Sequence, residues 1–480
     1  MFVMRTTSMS RRGTAAAASA LLLAITLAAC SSDKNEGSEE ASPSAAANSD
    51  SGGKEVVTVA VFTEDRFLED AAAKFEQAHP DIDIQIQETV PTDTSGNQMM
   101  IMRGPGDEGP AQEDIDKYVN SIGTALMSGK AADLISVGYL PVDRYLDKGM
   151  FADWSELAGK DSAFKTDDYY ERVLRGITDG DLWYAIPVDY SIRALIGDAA
   201  AIEQAGGADD KTWTWEQFIA LCAKIAGETG ADGKNRQALI GIEPTDLIGY
   251  LTESVYGKLV AEAGKGYKFD EEAFRGYLEQ VKQLYDSGAA STDRMGQGGP
   301  VFETSTISQP MELAMLPNRL QDGESAVLGI PGSGTDEGLE FTSDLAFALN
   351  DKSKVKDAAW EFVKFLLSAD IQSSPSLQGF PVHQEAAKTR LERFAEELQS
   401  GRAKIMIKSE GGEPSPVTAI TDEQIEEALA LLPSVGRYNR KDDKVIGIVT
   451  EETAAYFSGS KSADAVAKAV ASRVDTYLNE

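Results

Sequence analysis

An alternation of strand and helix patterns that starts at residue 56 restricts the possible folds more than any other feature of the sequence. Residues 56–62 form a continuous apolar run, which is typical of a strand buried on both faces of a parallel sheet. Residues 65–79 carry apolar side chains at a helical period and end before Pro80. Residues 81–88 then alternate strictly between polar residues and isoleucine. This strand–helix–strand order predicts parallel strands joined by right-handed helical crossovers, and hence an α/β fold.

The rest of the chain extends this pattern over more residues than a single core can hold. A helix near 114–127 and a strand at 132–138 continue the alternation, and helices dominate 212–286. A strand pair is predicted near 326–330 and 345–349, followed by a mostly helical tail. The folded part of about 425 residues exceeds the size at which single cores stop growing. We therefore expect two lobes.

Several conspicuous side chains are predicted to be structural rather than functional. Thr214 and Gln217 have the spacing of a capping box at the start of a helix. Cys222 belongs to an apolar helical pattern and is expected in the core. The aromatic residues at helical or capping positions are also expected to fill the core, namely Phe75, Trp154, Trp215, Trp360, Phe362 and Phe365.

The first residues have the layout of a secretory signal peptide. Arg5, Arg11 and Arg12 form a positive leader, and residues 15–29 form an apolar stretch that ends in small side chains. This stretch is too short to cross a hydrocarbon core of ~30 Å as a settled helix. Residues 1–29 are therefore predicted to be a signal peptide, and the residues around Cys30 indicate that it is a lipoprotein signal peptide.

The stretch Leu27-Ala28-Ala29-Cys30 resembles the lipobox of bacterial lipoproteins. In that motif the cysteine becomes the first residue of the mature protein and carries acyl chains such as palmitate. The alternative is an ordinary signal peptide cut near Ala29, with Cys30 an incidental thiol. Residues 30–54 contain almost no large apolar side chain and are predicted to form a disordered tether. We expect a protein anchored through acylated Cys30 at the extracellular face of the cell membrane.

The charge and the cysteine content narrow the possible partners. The chain has a formal net charge of −33, and residues 1–29 contribute three arginines and no acid, so the exported part is more acidic still. A body this acidic is repelled by phosphates, which argues against nucleic acid as a partner. With Cys30 acylated, Cys222 has no second cysteine, and no disulfide is expected.

The sequence offers little support for catalysis. The only two histidines are His79 and His383, which disfavours clustered zinc or copper sites and removes the usual base of a serine or cysteine nucleophile. The G-x-S-x-G elbow, the phosphate loop and an intact dinucleotide fingerprint are all missing from the sequence. A carboxylate pair for glycoside hydrolysis stays open, but 78 acidic residues make any such pair unspecific. We expect a protein that is not an enzyme and has no metal and no cofactor.

Ordered phrases over nearly the whole chain after Lys54 resemble the extracellular solute-binding proteins of the maltose-binding (family 1) type, which feed ATP-driven importers. The phrases are "AAAKFEQAHPDIDIQI", "ALMSGKAADLISV", "KGMFADWSEL", "DGDLWYAIPVDYS", "WTWEQFIALCAKI", "KVKDAAWEFVKFLLSADIQ", "GFPV" and "YFSGSKSADAVAKAVASRVDTYL". The resemblance implies a monomeric receptor that carries a small solute, most simply a carbohydrate, to the permease subunits of an ABC importer.

The resemblance also implies a fold of the type II periplasmic-binding-protein class. This is a two-lobed α/β fold with discontinuous lobes, hinge strands and a helical C-terminal tail. The first lobe would contain 55–188 plus 341–382, and the second 189–340 plus 383–480. The crossings between them would fall near 187–191 and 338–342. The solute would bind in the cleft between the lobes.

Ligands bind beyond the carboxyl ends of parallel strands, which together with the resemblance predicts the residues that contact the solute. Stacking faces and hydroxyl-accepting groups are expected from Glu64, Asp65, Tyr139, Asp189, Tyr190 and Asp246. Tyr139 and Tyr190 are expected to face each other across the closed cleft. A structural role is the alternative for two of them, since Asp65 could cap a helix and Tyr139 could pack before Pro141.

Three functional hypotheses follow. The leading one is a lipid-anchored receptor for a sugar or oligosaccharide. Val137 and Ile446 stand where sugar binders of this type often carry aromatic residues, which argues against a maltodextrin but not against sugars in general. The second hypothesis is a receptor for an amino acid, peptide or polyamine, with Arg193 and Asp189 as an example of a charged anchor pair. The third is a surface hydrolase or adhesin.

Overall fold

The structure is a computed structural model of the chain. It describes residues 53–91, 110–228, 236–263, 266–293, 301–316, 325–332, 336–403, 405–407, 415–417 and 419–479. The predicted signal peptide, the lipobox with Cys30 and most of the tether lie outside these residues. No helix among the described residues combines the length and the apolar character that a membrane crossing requires.

The first part of the chain alternates strands with helices and ends in a ten-residue strand. Its elements are β1 (Glu55–Val61), α1 (Arg66–Ala78), β2 (Ile82–Glu88), α2 (Gln112–Ser128), β3 (Leu134–Ser136), α3 (Asp143–Leu146), α4 (Trp154–Lys160), α5 (Glu171–Leu174), β4 (Thr178–Asp179), β5 (Leu182–Trp183), β6 (Ala185–Pro187) and β7 (Asp189–Asp198).

The middle part is mainly helical, as the sequence predicts, with short strands between the helices. Its elements are α6 (Ala199–Gln204), α7 (Trp215–Ala226), β8 (Leu239–Ile240), α8 (Pro244–Ser254), α9 (Tyr256–Leu259), β9 (Val260–Ala263), β10 (Gly266–Phe269), α10 (Glu271–Asp286), β11 (Ala290–Ser291), β12 (Phe302–Ile307), α11 (Pro310–Met315) and β13 (Ser325–Leu328).

The last part returns to the first sheet before it ends in helices. Its elements are β14 (Leu339–Thr342), β15 (Ala346–Leu349), α12 (Lys356–Leu366), α13 (Ala369–Gln372), β16 (Phe380–Pro381), α14 (Gln384–Gln399), β17 (Ile405–Ile407), β18 (Ser415–Val417), α15 (Asp422–Leu431), β19 (Val435–Tyr438), α16 (Asp443–Phe457) and α17 (Ala463–Leu478).

The first of the two main sheets has the strand order β2-β1-β3-β15-β6. Strand β1 pairs in parallel with both neighbours, so that Val59 lies opposite Ile86 on one side and Leu134 on the other. Strand β15 is antiparallel to β3 and to β6. The predicted parallel start of the fold is therefore confirmed, and the carboxyl ends of β1 and β3 lie at the same edge of the sheet.

The second main sheet has the order β12-β7-β14-β19, with β13 and β16 also paired to the long strand β7. The strands predicted near 326–330 and 345–349 both exist, but they do not pair with each other. Strand β13 pairs with β7 in the second sheet, whereas β15 belongs to the first. The pairing of these two strands was predicted because they are close in the sequence. It does not form because the chain returns to the first sheet after β13 and before β15.

Two of the places at which the chain passes between the sheets are closely spaced. The chain leaves the first sheet after β6, and Val188 leads directly into β7 of the second. It returns from β14 to β15 through residues 343–345. Both passages lie at or next to the predicted crossings, 187–191 and 338–342. Their role as hinges stays a prediction.

Two hydrophobic clusters fill the molecule and correspond to a two-lobed architecture. The first contains the first sheet and helices such as α1, α2 and α12. The second is built largely from α7, α8, α10, α16 and α17. Helices α14 and α15 also give their buried residues to the first cluster, although the sequence assigned 383–480 to the second lobe. The boundaries of the lobes stay a prediction.

Local sequence signals account for the ends and the buried faces of the helices. Asp65 is the N-cap of α1 and accepts a hydrogen bond from the backbone N–H of Leu68 at 2.8 Å. Phe75 on the buried face of α1 packs 5.2 Å from Phe362 in α12. The capping box of Thr214 and Gln217 is present at the start of α7. The remaining aromatic residues predicted for the core are buried, apart from the half-buried Phe365, and Cys222 is buried as well.

Candidate functional site

A cavity of about 220 Å³ lies between elements of the two hydrophobic clusters. From the first cluster it is lined by one face of α2 and by residues that follow β3; from the second it is lined by the start of α16 and by α17. The lining residues are Gln112, Ile115, Asp116, Val119, Asn120, Tyr139, Pro141, Arg144, Asp442, Asp443, Lys444 and Tyr477. A second cavity, of about 350 Å³, is lined by residues such as Tyr169, Tyr170 and Arg172. We take the first as the candidate site because it lies at the carboxyl end of a parallel strand and between the lobes.

The wall of the cavity on the side of the first sheet is aromatic. Tyr139 follows β3, and its half-buried ring packs 4.6 Å from the ring of Phe62, which follows β1. Phe62 in turn meets the edge of Tyr118 at 5.7 Å, and the hydroxyl of Tyr118 donates to the carbonyl of Ser136 at 2.6 Å. The neighbouring Gly138 allows a close approach, because a Cβ there would lie 2.7 Å from the carbonyl oxygen of Ser343. The ring of Tyr139 is therefore held at the rim by the sheet beneath it.

The opposite wall contains a buried carboxylate. Asp442 is the N-cap of α16, and its Oδ1 accepts hydrogen bonds from the backbone N–H of Lys444 at 2.9 Å and from the hydroxyl of Tyr477 at 3.2 Å. Its other oxygen, Oδ2, is buried and has no hydrogen-bond partner in the described part of the chain. Burial raises the pKa of Asp442 from 3.8 to about 6.

Polar contacts join the two lobes around the cavity. The guanidinium of Arg144 lies 4.3 Å from the centre of the Tyr477 ring and also donates to the Tyr477 carbonyl. Lys444 pairs with Asp116 of α2 at 3.1 Å. Further away, Arg440 pairs with Asp143 and, at 3.0 Å, with Asp179, and Tyr267 donates to Asp147 at 3.0 Å. The lobes are thus in contact across the cavity in this form of the protein.

Of the residues predicted to bind the solute, Tyr139 lines this cavity. Glu64 is exposed and follows β1, so it lies at the same sheet edge as Tyr139. Asp65 caps α1, the structural alternative stated above, and burial raises its pKa. Asp246 is exposed in the first turn of α8, and partial burial raises its pKa.

Asp189 connects, by hydrogen bonds, the two segments through which the chain passes between the sheets. It is 4% exposed, and its Oδ1 accepts hydrogen bonds from the hydroxyl of Ser343 at 3.0 Å and from the backbone N–H of Leu345 at 3.1 Å. Burial, followed by the nearby Asp344 and Asp65, raises the pKa of Asp189. Gly379 (φ +80°) lies against the same side chain, because a Cβ there would be 3.2 Å from Asp189 Oδ2. In this form Asp189 supports the passages and offers no surface to a solute.

Tyr190 differs from the expectation that it faces Tyr139 across the cleft. Its side chain is 0% exposed, and its ring stacks 5.3 Å from Phe380 of β16 and lies 6.2 Å from Phe341 of β14. Its hydroxyl is buried and has no hydrogen-bond partner among the described residues. The physical reason is that β16 pairs with β7 at this position, with Phe380 opposite Tyr190, so the ring is enclosed. Nothing near Tyr190 in the sequence indicates this distant partner.

A buried ion-pair network lies between β7, β14 and β19, where the chain passes between the lobes. Arg193 pairs with Glu340 at 2.7 Å and with Glu253 at 2.5 Å. Glu340 also pairs with Arg437 at 2.9 Å and accepts a hydrogen bond from Asn439 at 2.6 Å. Arg193 therefore has partners other than Asp189, and the anchor pair named for an amino-acid or polyamine ligand is not formed. Each of these charges is compensated within the protein.

Sequence reasoning missed most of the residues that line the cavity. Asp116 and Arg144 belong to short polar stretches of the sequence, which are typical of solvent-exposed helix faces. Asp442 lies nearly 300 positions and Tyr477 333 positions along the chain from Arg144, and they meet it only in the folded protein. The one local signal was the Asp442-Asp443 pair at the start of a helix, which indicates a cap but no ligand. No group of His, Cys, Asp or Glu within the described ranges is arranged to hold a metal ion.

Comparison with known proteins places this fold among binding proteins. The family described as "Bacterial extracellular solute-binding protein" matches residues 60–373. No curated protein matches the chain. Among solved structures, a family 1 extracellular solute-binding protein from Alicyclobacillus acidocaldarius is 20% identical, with 89% of this chain and all of that chain covered and a TM-score of 0.52.

Two further solved structures have similar scores. The sugar-binding protein MalE from Xanthomonas citri is 16% identical, covers 88% of this chain and 97% of its own, and has a TM-score of 0.53. A periplasmic oligogalacturonide-binding protein from Yersinia enterocolitica is 15% identical, covers 88% and 99%, and has a TM-score of 0.52. At these identities the structures establish a shared fold.

Proposed function

The chain belongs to the bacterial extracellular solute-binding protein family of ABC importers, and we propose that it captures a sugar or oligosaccharide in the cavity between its lobes and delivers it to the permease. We further propose that acylated Cys30 holds it at the extracellular face of the cell membrane. A binding role agrees with the family, whose members described above are binding proteins.

The observation that carries the sugar proposal is the composition of the cavity. Tyr139 and Tyr477 contribute rings from opposite lobes, and both are half-buried. Asn120, Asp116 and Asp442 contribute amide and carboxylate groups between them. Sugars present apolar C–H faces and a ring of hydroxyls, so they suit a site in which aromatic walls alternate with hydrogen-bonding groups.

The contacts across the cavity support a receptor that works by closure. A solute that touches Tyr139 on one lobe and Asp442 on the other adds to the same interface as the Arg144–Tyr477 contact. It therefore favours the closed arrangement of the lobes over an open one. We propose that the permease recognises this closed arrangement, which would make delivery dependent on the solute.

The predicted site residues enter the proposal to different degrees. Tyr139 is proposed as a stacking face, and Glu64 as a polar group at the same sheet edge. Asp65 and Asp189 are proposed to support that edge without contacting the solute. Asp65 does so by capping α1, and Asp189 by its hydrogen bond with Ser343 at the passages between the sheets. Asp246 is retained as a polar group on α8, which packs against α16. Tyr190 is proposed as a support because its ring is enclosed.

The membrane anchor rests on the sequence alone. The stretch before Cys30 has the small residues of a lipobox, and residues 30–54 have the composition of a flexible tether. A tether of 25 residues with a Gly/Ser-like composition spans roughly 25–30 Å on average. That length would keep the binding domain clear of the lipid surface.

A thermal-shift screen of the purified protein against sugars, amino acids and polyamines tests the function. A ligand at 100 times its dissociation constant raises the free energy of unfolding by about 2.7 kcal/mol, which is readily detected. Hits are then titrated by calorimetry, and the same protein is assayed on chromogenic glycosides and esters. Binding of a sugar without turnover is expected. The absence of any stabilising sugar, or hydrolysis of a substrate, would contradict the proposal.

A further inference from the structure

The carboxylate of Asp442 has one oxygen that the protein does not use. Oδ1 holds the start of α16 and accepts from the hydroxyl of Tyr477, as described above. Oδ2 of the same group is buried and has no hydrogen-bond partner among the residues that the structure describes. The side chain is only 4% exposed, and Asp442 lines the cavity between the lobes. Buried polar atoms in folded proteins are almost always paired, so an acceptor left over at the wall of a cavity indicates a partner that is not part of the chain.

The other charged groups of the cavity already have partners. Asp116 pairs with Lys444 at 3.1 Å, and Asp443 pairs with Lys441 at 2.8 Å. The guanidinium of Arg144 lies over the ring of Tyr477 and donates to its carbonyl. Among the described carboxylates that line this cavity, Asp442 is therefore the one with a buried oxygen, Oδ2, that has no hydrogen-bond partner.

We propose that Asp442 selects the solute of this receptor, by accepting through Oδ2 a hydrogen bond from a hydroxyl group of an uncharged sugar. This inference rests on the proposed function and narrows it to neutral, hydroxyl-rich ligands. An acidic sugar would bring its carboxylate next to Asp442, where neither Arg144 nor Lys444 is left to compensate it. A diamine would bring two cations into a cavity where Asp116 and Asp443 are already paired with lysines, so that Asp442 would be left to compensate both. A neutral hydroxyl donates to Oδ2 without either penalty.

Two substitutions at Asp442 separate recognition from the capping role. Asp442→Asn keeps an Oδ1 acceptor for the helix cap but replaces Oδ2 with an NH₂ donor, which opposes a donor of the solute. Asp442→Ser also keeps an oxygen that can cap the helix, but its shorter side chain places nothing at the position of Oδ2. Asp270→Asn is the matched control, because Asp270 is the exposed N-cap of α10 and the substitution removes the same charge away from the cavity.

The experiment is calorimetric titration of the wild type and the three variants at a temperature where all are folded. The probes are glucose, galactose, xylose, maltose and cellobiose, with digalacturonic acid and putrescine as the charged probes. We expect the wild type to bind a neutral sugar. Asp442→Asn should weaken that binding about ten- to a hundredfold, Asp442→Ser should weaken it less, and Asp270→Asn should leave it unchanged.

Three results would overturn the proposal. If Asp442→Asn and Asp442→Ser bind the neutral sugar as tightly as the wild type, the group is only a helix cap. If the wild type prefers digalacturonic acid or putrescine, the receptor function stands but the neutral class is wrong. If the wild type binds none of the probes, the sugar receptor function fails and this inference fails with it.

Discussion

The guanidinium of Arg144 lies 4.3 Å from the centre of the Tyr477 ring, although the two residues are 333 positions apart in the chain. Arg144 belongs to α3, whose neighbouring residues are in the first hydrophobic cluster, and Tyr477 to the last turn of α17, which packs in the second. The same guanidinium donates a hydrogen bond to the Tyr477 carbonyl. This contact joins elements of the two hydrophobic clusters across the cavity, and we expect it to stabilise the closed arrangement of the lobes.

Arg144→Ala should therefore shift the unliganded protein toward an open arrangement. The loss of a cation–π contact of about 0.5–2 kcal/mol should weaken solute affinity roughly twofold to thirtyfold, because closure becomes less favourable. Small-angle X-ray scattering of the unliganded variant should show a larger radius of gyration. Arg473→Ala is the control, since Arg473 lies on the same helix but pairs with Glu451 and Glu452 of the neighbouring α16. Identical scattering of Arg144→Ala and the wild type would refute the effect on closure.

Tyr139→Ala should weaken solute binding by about 1–3 kcal/mol, or roughly ten- to a hundredfold, because it removes a stacking face of the cavity. The melting temperature without solute should change little, since the ring is only half-buried against Phe62. Tyr139→Phe keeps the ring and should retain most of the affinity. Calorimetric titration checks both variants, and wild-type affinity in Tyr139→Ala would remove this residue from the site.

Tyr190→Phe should be neutral or slightly stabilising, because the hydroxyl that it removes is buried and unpartnered among the described residues. Tyr118→Phe is a matched substitution with the opposite expectation, since its hydroxyl donates to the Ser136 carbonyl at 2.6 Å. It should reduce the free energy of unfolding by about 1 kcal/mol. Urea denaturation measures both. A large loss of stability in Tyr190→Phe would mean that its hydroxyl has a partner after all.

The pH dependence of stability should contain a contribution from Asp442. Burial raises its pKa from 3.8 to about 6, so the native state binds this proton more tightly than the unfolded state. The stability from this group is fully present below about pH 4 and is lost as the pH rises to about 6. The charged and titratable groups around it include Arg144, Tyr145, Tyr256, Asp443, Lys444 and Tyr477.

The comparison that isolates this effect is wild type against Asp442→Asn, which cannot titrate at this position. Over the interval from pH 4 to pH 6 the wild type should lose up to about 2–3 kcal/mol relative to the variant. Chemical denaturation at half-unit pH steps gives the difference directly. A difference that stays constant over this interval would show that the pKa of Asp442 is not raised.

Cys30→Ala should release the protein from the membrane or leave it as an uncut precursor, because the variant cannot be acylated at the proposed anchor. Fractionation of cells and the mobility of the protein on a gel report both outcomes. Ser31→Ala is a neighbouring substitution that should change neither. Unchanged membrane retention of Cys30→Ala would rule out this anchor.

Local features of the fold could be predicted because their causes are local. The N-cap at Asp65, the capping box at Thr214 and the buried pattern around Cys222 depend on residues within one or two turns. The parallel start of the first sheet followed from the order of a strand, a helix and a second strand. In these places propensity, spacing and burial all favour the same structure.

The site was less predictable because it is assembled from distant segments. Tyr139 could be found, since the carboxyl end of a buried strand is a position that a pattern can locate. Asp442 and Tyr477 could not, because nothing near them in the sequence shows that α16 and α17 face α2 and α3. The enclosure of Tyr190 could not be predicted for the same reason, since Phe380 joins β7 only through tertiary pairing. Rules based on local periodicity contain no information on such pairings.

The carboxylate of Asp189 has a mechanical consequence. It sits where the chain first passes between the sheets, and it is hydrogen-bonded to Ser343 and Leu345 where the chain passes back. Two connecting segments that are hydrogen-bonded to each other at this point should not slide independently. We therefore expect the two lobes to rotate relative to each other about one axis near Asp189. Any solute that closes the cleft would then bring the outer surfaces of the two lobes into the same relative position.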